Sequence, residues 1–133
     1  MTEKYEIRKL EVHSDQRGWL AEILRKEHLK NKEFGQIYVT TAHPDMIKAN
    51  HYHKRKTEWF CVIKGEAKLS LRELNDKKIH EIIMKDDNLI VVKIPPNTVH
   101  GIKNIGSDMM YLLSYVDESY NPEDPDTFVE KII

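Results

Sequence analysis

A chain of 133 residues is one domain in size and long enough to bury a core of its own without cross-links. Its 21 lysines and arginines almost balance 22 aspartates and glutamates, which excludes the one-signed field of a nucleic-acid or membrane-surface binder. The single cysteine, Cys61, excludes an internal disulfide, and no apolar run approaches the ~20 residues that cross a bilayer. The start, Met-Thr-Glu-Lys-Tyr-Glu, lacks the apolar core of a signal peptide. One domain over residues 1–133 is expected, in the cytoplasm, with no membrane and no nucleic-acid partner.

In chain order, residues 5–12 alternate as a strand, Ser14-Asp15-Gln16-Arg17-Gly18 is a tight turn, and residues 19–24 form the next strand. The charged residues 26–32 fit a short helical turn or a surface loop. Gly35 opens the β-rich run Gln36-Ile37-Tyr38-Val39-Thr40-Thr41, in which Gln36, Tyr38 and Thr40 share a face. Residues 57–63 and 67–73 flank Gly65 like a hairpin, with Ala67, Leu69 and Leu71 facing inward. Residues 79–84, 89–94 and 109–116 are further strands. The last is apolar on both faces, which implies a covering layer outside the barrel, such as a second subunit. The tail from Asn121, Asn-Pro-Glu-Asp-Pro-Asp, has no strand character. Many short strands without repeat or linker make an all-β sandwich or barrel.

One constellation stands out. His51 and His53, two apart on a strand, project from one face. Glu58 follows across the basic turn Lys54-Arg55-Lys56, and alternation from it sends Phe60 and Val62 inward and Trp59 and Cys61 outward. Cys61 is therefore not a ligand. Pro95 restricts the approach to a second motif, and Asn97 is suited to the left-handed turn that delivers His100 to the same pocket. Three imidazoles and a carboxylate suit Zn, Fe, Mn, Ni or Cu, and the spacing does not choose among them. The same residues also suit a hydrogen-bonded polar site without metal.

These residues resemble the two cupin motifs. The first, Gly-x5-His-x-His-x4-Glu-x6-Gly, is met from His51 to Gly65, and the second at Pro95, His100 and Asn104. Asn97 and Leu89 stand where the second motif has glycines, and no glycine precedes His51. The resemblance implies a cupin barrel (a double-stranded β-helix, or jelly-roll) and a homodimer. The segment Asp15-Gln16-Arg17-Gly18-Trp19-Leu20-Ala21-Glu22 is similar to one in the dTDP-4-dehydrorhamnose 3,5-epimerases. There the arginine and glutamate bind nucleotide-sugar, which implies that role for Arg17 and Glu22. Gln36, fifteen residues before His51, matches a substrate-binding glutamine; Lys48 replaces that family's arginine, keeping charge but not the bidentate fork. Tyr111 falls where the acid tyrosine is found. Similarity is closer to the C-terminal cupin domain of the CapF type of capsule-precursor enzyme, across Phe34-Gly35-Gln36-Ile37, Asn50-His51-Tyr52-His53 and the segment 121–127. That domain implies a zinc-dependent C3 epimerase of a UDP-4-keto-sugar.

The implied chemistry is epimerisation at C3, or at C3 and C5, of a UDP- or dTDP-4-keto-hexose in surface polysaccharide precursor synthesis. A carbon beside a ketone loses its proton as an enolate, so the site needs a base, a donor across the ring, and positive charge at the oxygen. His51 is the epimerase-like base and Tyr111 the donor. His51 also belongs to the metal set with His53, Glu58 and His100, and an imidazole nitrogen bound to zinc cannot accept a proton. The competing readings are a sugar 3,4-ketoisomerase, a metal-dependent dioxygenase and a non-catalytic sugar-binding cupin.

Overall fold

The structure, a computed structural model, describes residues 3–29 and 33–133. Twelve strands follow one another with only a 3-10 turn, Lys26–His28, and no α-helix among the described residues. They are β1 (Glu6–Lys9), β2 (Val12–Asp15), β3 (Gly18–Ala21), β4 (Gln36–Ala42), β5 (Ile47–Tyr52) and β6 (Glu58–Lys64). β7 (Glu66–Glu73), β8 (His80–Lys85), β9 (Ile90–Ile94), β10 (Thr98–Asn104), β11 (Met110–Val116) and β12 (Phe128–Val129) complete the set. Among the described residues no helix is long and apolar enough to cross a membrane.

Two five-stranded antiparallel sheets, ordered β1-β9-β6-β11-β4 and β12-β5-β10-β7-β8, enclose the core, and β2 and β3 form a separate ribbon. This is the expected cupin jelly-roll barrel. Phe60, Val62, Leu69, Leu71, Ile102 and Leu112 fill its interior, where alternation along each strand delivers every second side chain. The outer face of the first sheet carries Trp59, Cys61, Val91 and Tyr115, covered in part by Ala21, Ile23, Leu24 and Leu29. Alternation from Glu58 thus sorts Phe60 and Val62 from Trp59 and Cys61 as expected.

Two expectations are corrected. The strand expected over residues 5–12 is interrupted at Leu10–Glu11, where the chain leaves β9 and enters the ribbon. The strands flanking Gly65 are not a hairpin. β6 pairs with β9 and β11, whereas β7 pairs with β8 and β10, so at Gly65, with φ 95, the chain crosses between sheets. The tail residues 121–126 carry no strand, as expected, and the short β12 after them adds to the edge of β5, setting Phe128 opposite Tyr52 and Val129 opposite His51. Residues 30–32 of the charged segment lie outside the described residues.

Candidate active site

Two of the three missing motif glycines are replaced in conformation, Leu89 being the exception. Asp45, at the position where the first motif has its leading glycine, takes φ 68, and Asn97 takes φ 60. Aspartate and asparagine adopt this left-handed region at least cost among residues with a Cβ. A further left-handed pair, Ala49 (φ 70) and Asn50 (φ 56), precedes His51. On β10, His100 faces His51 and Gly101 faces Ala49, so Asn50 is the extra residue of a bulge that aims His51. The Asn50 Oδ1 accepts the N–H groups of Ile132 and Ile133 at 3.0 and 3.1 Å, which fastens the bulge to the end of the chain.

His51, His53, Glu58 and His100 meet at one end of the barrel, each offering a ligand atom within 4.8 Å of the others. Glu58 and His100 are fully enclosed, His53 nearly so, and the His51 side chain remains 25% exposed. His100 Nδ1 donates to the Thr98 carbonyl at 2.9 Å, and His53 Nδ1 donates to the Asp126 carbonyl at 2.6 Å. A carbonyl only accepts, so each Nδ1 carries a hydrogen and each Nε2 is turned to the cluster. No such bond holds His51 among the described residues. Glu58 Oε1 lies against His53 Nε2, 3.3 Å from His100 Nε2 and 3.9 Å from His51 Nε2. Glu58 Oε2 accepts from the Tyr38 hydroxyl at 3.1 Å and from Ser114 Oγ at 3.4 Å.

Burial would push the Glu58 carboxyl up, but the imidazole nitrogens of His100 and His53 beside it hold it well below the ordinary carboxylate range. His53 is likewise opposed by burial, yet contact with Glu58 raises it above the usual histidine value. His51 is pushed down to about 4 by burial and then by neighbouring His100, leaving it neutral. Burial and the Glu58 charge push the Tyr38 hydroxyl up, so it keeps its proton. Among the described residues two buried side-chain atoms have no hydrogen-bond partner, Thr98 Oγ1 and His100 Nε2, and the second faces an ionised carboxylate. A lone pair and an anion this close need positive charge between them, which either a shared proton or a metal cation supplies. His53, Glu58 and His100, with His51 beside them, therefore fit a divalent metal.

A pocket of about 240 Å³ opens over this cluster, with Gln36, Tyr38, Lys56, Val116, Tyr120 and Thr127 among its walls. Of the residues expected at the site, the structure brings together His51, His53, Glu58, His100 and Gln36, whose Oε1 accepts the Tyr120 N–H at 2.7 Å. Lys48 is exposed and does not line the pocket; its Nζ donates to Thr40 Oγ1 at 2.8 Å. Arg17 does not reach the pocket of its own chain. It sits at the tip of the β2–β3 ribbon, paired with Asp15, and Glu22 pairs with Arg25 on the surface. Tyr111 is corrected more firmly. On β11 the core residues Met110 and Leu112 alternate with it, and it pairs with Thr41 and Lys64 on the outer side, away from the cluster. The tyrosines lining the pocket among the described residues are Tyr38 and Tyr120.

Tyr38, Ser114, Thr98 and Asp126 are the site residues that sequence reasoning overlooks. Tyr38 has a signal, since alternation puts it on one face with Gln36. Asp126 has no signal beyond its place in the similar segment 121–127: its carbonyl holds His53, and its carboxylate accepts the main-chain N–H groups of Lys54, Arg55 and Lys56 at 2.9–3.1 Å.

Comparison with known proteins agrees with this geometry. The chain is 36% identical over 117 residues to the UDP-2-acetamido-2,6-beta-L-arabino-hexul-4-ose reductase of Pseudomonas aeruginosa, covering 88% of this chain and 30% of that protein. It is 30% identical over 131 residues to the spore coat polysaccharide biosynthesis protein SpsL of Bacillus subtilis, covering 95% of this chain and 87% of SpsL. The capsular polysaccharide assembling protein CapF of Staphylococcus aureus superposes with a TM-score of 0.74 at 33% identity, over 92% of this chain and 34% of CapF. The chain thus spans about a third of the reductase and of CapF. The profile of the polysaccharide biosynthesis C-terminal domain matches residues 13–128, and the chain belongs to that family.

Proposed function

We propose that the protein is an epimerase of a UDP- or dTDP-linked 4-keto-hexose, inverting C3, or C3 and C5, during synthesis of a surface polysaccharide precursor. The observation that carries this reading is the enclosed, ionised Glu58 facing three imidazoles at the foot of an open pocket. It belongs to a chain whose relatives are named for sugar nucleotide reduction and polysaccharide assembly.

His53, Glu58 and His100 hold the metal, zinc in this reading, since both histidines are pinned through Nδ1 and the carboxylate is braced by Tyr38 and Ser114. Bound there, such an ion supplies positive charge at the keto oxygen, where enolate charge grows. His51, neutral and the most exposed of the three imidazoles, takes the proton from the carbon beside the ketone. Tyr38, the protonated phenol on the pocket wall, takes over the donor role expected of Tyr111 and returns a proton from the other side of the ring. Gln36 and Lys48 contact the sugar nucleotide. A nucleotide-sugar substrate places the reaction in the cytoplasm.

We also read the protein as a homodimer. Trp19 and Leu20 on the β2–β3 ribbon, and Phe34, Ile37 and Val39 near the edge strand β4, are all more than half exposed. A two-stranded ribbon is marginal unless it packs on something. Arg17 and Glu22, remote from their own pocket, reach a substrate only across such an interface. The test of the activity is incubation with UDP- and dTDP-4-keto-hexoses in deuterium oxide. Label entering C3 or C5 supports the reading, and a sugar returned without label rejects it.

A further inference from the structure

The turn Lys54-Arg55-Lys56 carries three cations, and the fold treats them differently. Lys54 and Arg55 are exposed; Arg55 is paired with Glu118 and Asp124, and Lys54 Nζ lies 4.4 Å from the centre of the Phe128 ring. Lys56 is only 4% exposed, and among the described residues no carboxylate lies within ion-pair distance of its Nζ. The ammonium donates to the Pro125 carbonyl at 3.1 Å and lies 5.7 Å from the centre of the Tyr120 ring. An ammonium has three donors, and enclosing one without an anion is costly.

The position of this charge gives it a use. Lys56 lines the same pocket as His51, His53 and Glu58. The cluster sits on the floor, where Glu58 and His100 are enclosed; Lys56 lies beneath Tyr120, whose side chain is on the rim and largely exposed. Its place is held from both sides. The Asp126 carboxylate accepts the Lys56 main-chain N–H at 3.1 Å, and the adjacent Pro125 carbonyl accepts from Nζ. A sugar ring over the floor leaves its anionic linkage near Lys56 and its base near the Tyr120 face.

We infer that Lys56 is the anion-holding residue of the pocket, binding the diphosphate that links sugar to nucleoside. This rests on the nucleotide-sugar reading and adds a specificity-determining residue to it. Lys56 is then the group that separates a sugar nucleotide from a free sugar.

The test is calorimetric titration of the full chain with UDP and with dTDP, for the wild type, Lys56→Gln, Lys56→Met and Lys54→Gln. The expected result is a loss of at least tenfold in affinity for both Lys56 variants, with wild-type affinity in Lys54→Gln. Lys56→Met should melt no lower than the wild type in the absence of nucleotide, because it removes an enclosed charge with no carboxylate partner and keeps the unbranched stem. Wild-type affinity in Lys56→Met, or an equal loss in Lys54→Gln, overturns the inference while the epimerase reading stands on its label exchange. Binding of neither nucleotide by the wild type overturns both. Failure of both Lys56 variants to fold makes the ammonium a structural prop and overturns the inference alone.

Discussion

The main-chain carbonyl of Asp126 accepts the Nδ1–H of His53 across 73 residues of sequence, at 2.6 Å. The same aspartate turns its carboxylate to the N–H groups of Lys54, Arg55 and Lys56. One residue of the tail thus sets the tautomer of a cluster histidine and shapes the turn that leads from it to Glu58. Outer partners of this kind are worth about 10–100-fold in metal affinity. Asp126→Ala keeps that carbonyl but frees the turn that its carboxylate holds, so any metal affinity of the cluster is expected to fall by about tenfold, the low end of that range, as measured by competition with a chelator.

The Asp126 carboxyl also makes a pH prediction. Burial opposes its ionisation, but three main-chain donors hold it below its ordinary value of ~3.9. A depressed carboxyl contributes stability that is present above the unfolded value and lost as pH falls through the folded one. Asp126→Asn should therefore be less stable than the wild type at neutral pH, and the gap should close below about pH 4. Urea midpoints measured from pH 7 to pH 3 check this. A gap that stays constant to pH 3 contradicts the assigned charge.

The three histidines are expected to separate by experiment. His53→Ala and His100→Ala each remove a pinned nitrogen facing Glu58 and should abolish stoichiometric metal in the purified protein. His51→Ala should keep the metal and lose label exchange by about 10²–10⁴-fold, the usual worth of a positioned base. Metal lost from His51→Ala to the same extent would make His51 a ligand and pass proton abstraction to another group.

Much of the barrel is legible because strand periodicity is two and the core is apolar. That rule alone separates Phe60 and Val62 from Trp59 and Cys61, and it converges His51 on His53. It says nothing about which strands pair. Two apolar runs around Gly65 look alike whether they fold back as a hairpin or pass to opposite sheets, and here they pass. Periodicity also makes assignments brittle, since one residue of phase reverses the face. Tyr111 lies three places from Ser114, which bonds Glu58, and so points the other way. Asp126 sits in a run of turn-forming residues whose partners are some seventy positions earlier, and local composition carries no trace of them.

The tyrosines follow from this. Tyr38→Phe removes a hydroxyl that lines the pocket and bonds Glu58 Oε2, whereas Tyr111→Phe alters the outer face of β11. Tyr38→Phe is expected to slow exchange by about 10²-fold or more with metal content intact, and Tyr111→Phe to leave exchange near the wild-type rate. If Tyr38→Phe instead loses metal, the hydroxyl acts only by bracing the carboxylate. Metal analysis alongside exchange distinguishes the two roles.

Gly35 fixes where β4 begins, and it has no room for a side chain. A Cβ built there would stand 2.0 Å from the Val116 carbonyl oxygen and 2.5 Å from the carbonyl carbon of Asp117, both main chain. Relief by movement is blocked from two directions, because the Gly35 N–H donates to the Tyr115 hydroxyl at 2.9 Å and its carbonyl accepts from Ser119 Oγ at 3.1 Å. Gly35→Ala must therefore push the start of β4 away from the end of β11, where Gln36 pairs with Val116 and both line the pocket. Overpacking of this kind costs about 1–3 kcal/mol, which a shift in urea midpoint will read. Gln36 and Tyr38 move with the strand, so nucleotide affinity and label exchange should fall together, while any metal bound at His53, Glu58 and His100 should be retained. Wild-type stability in Gly35→Ala would mean that the mouth of the barrel yields far more easily than its hydrogen bonds imply.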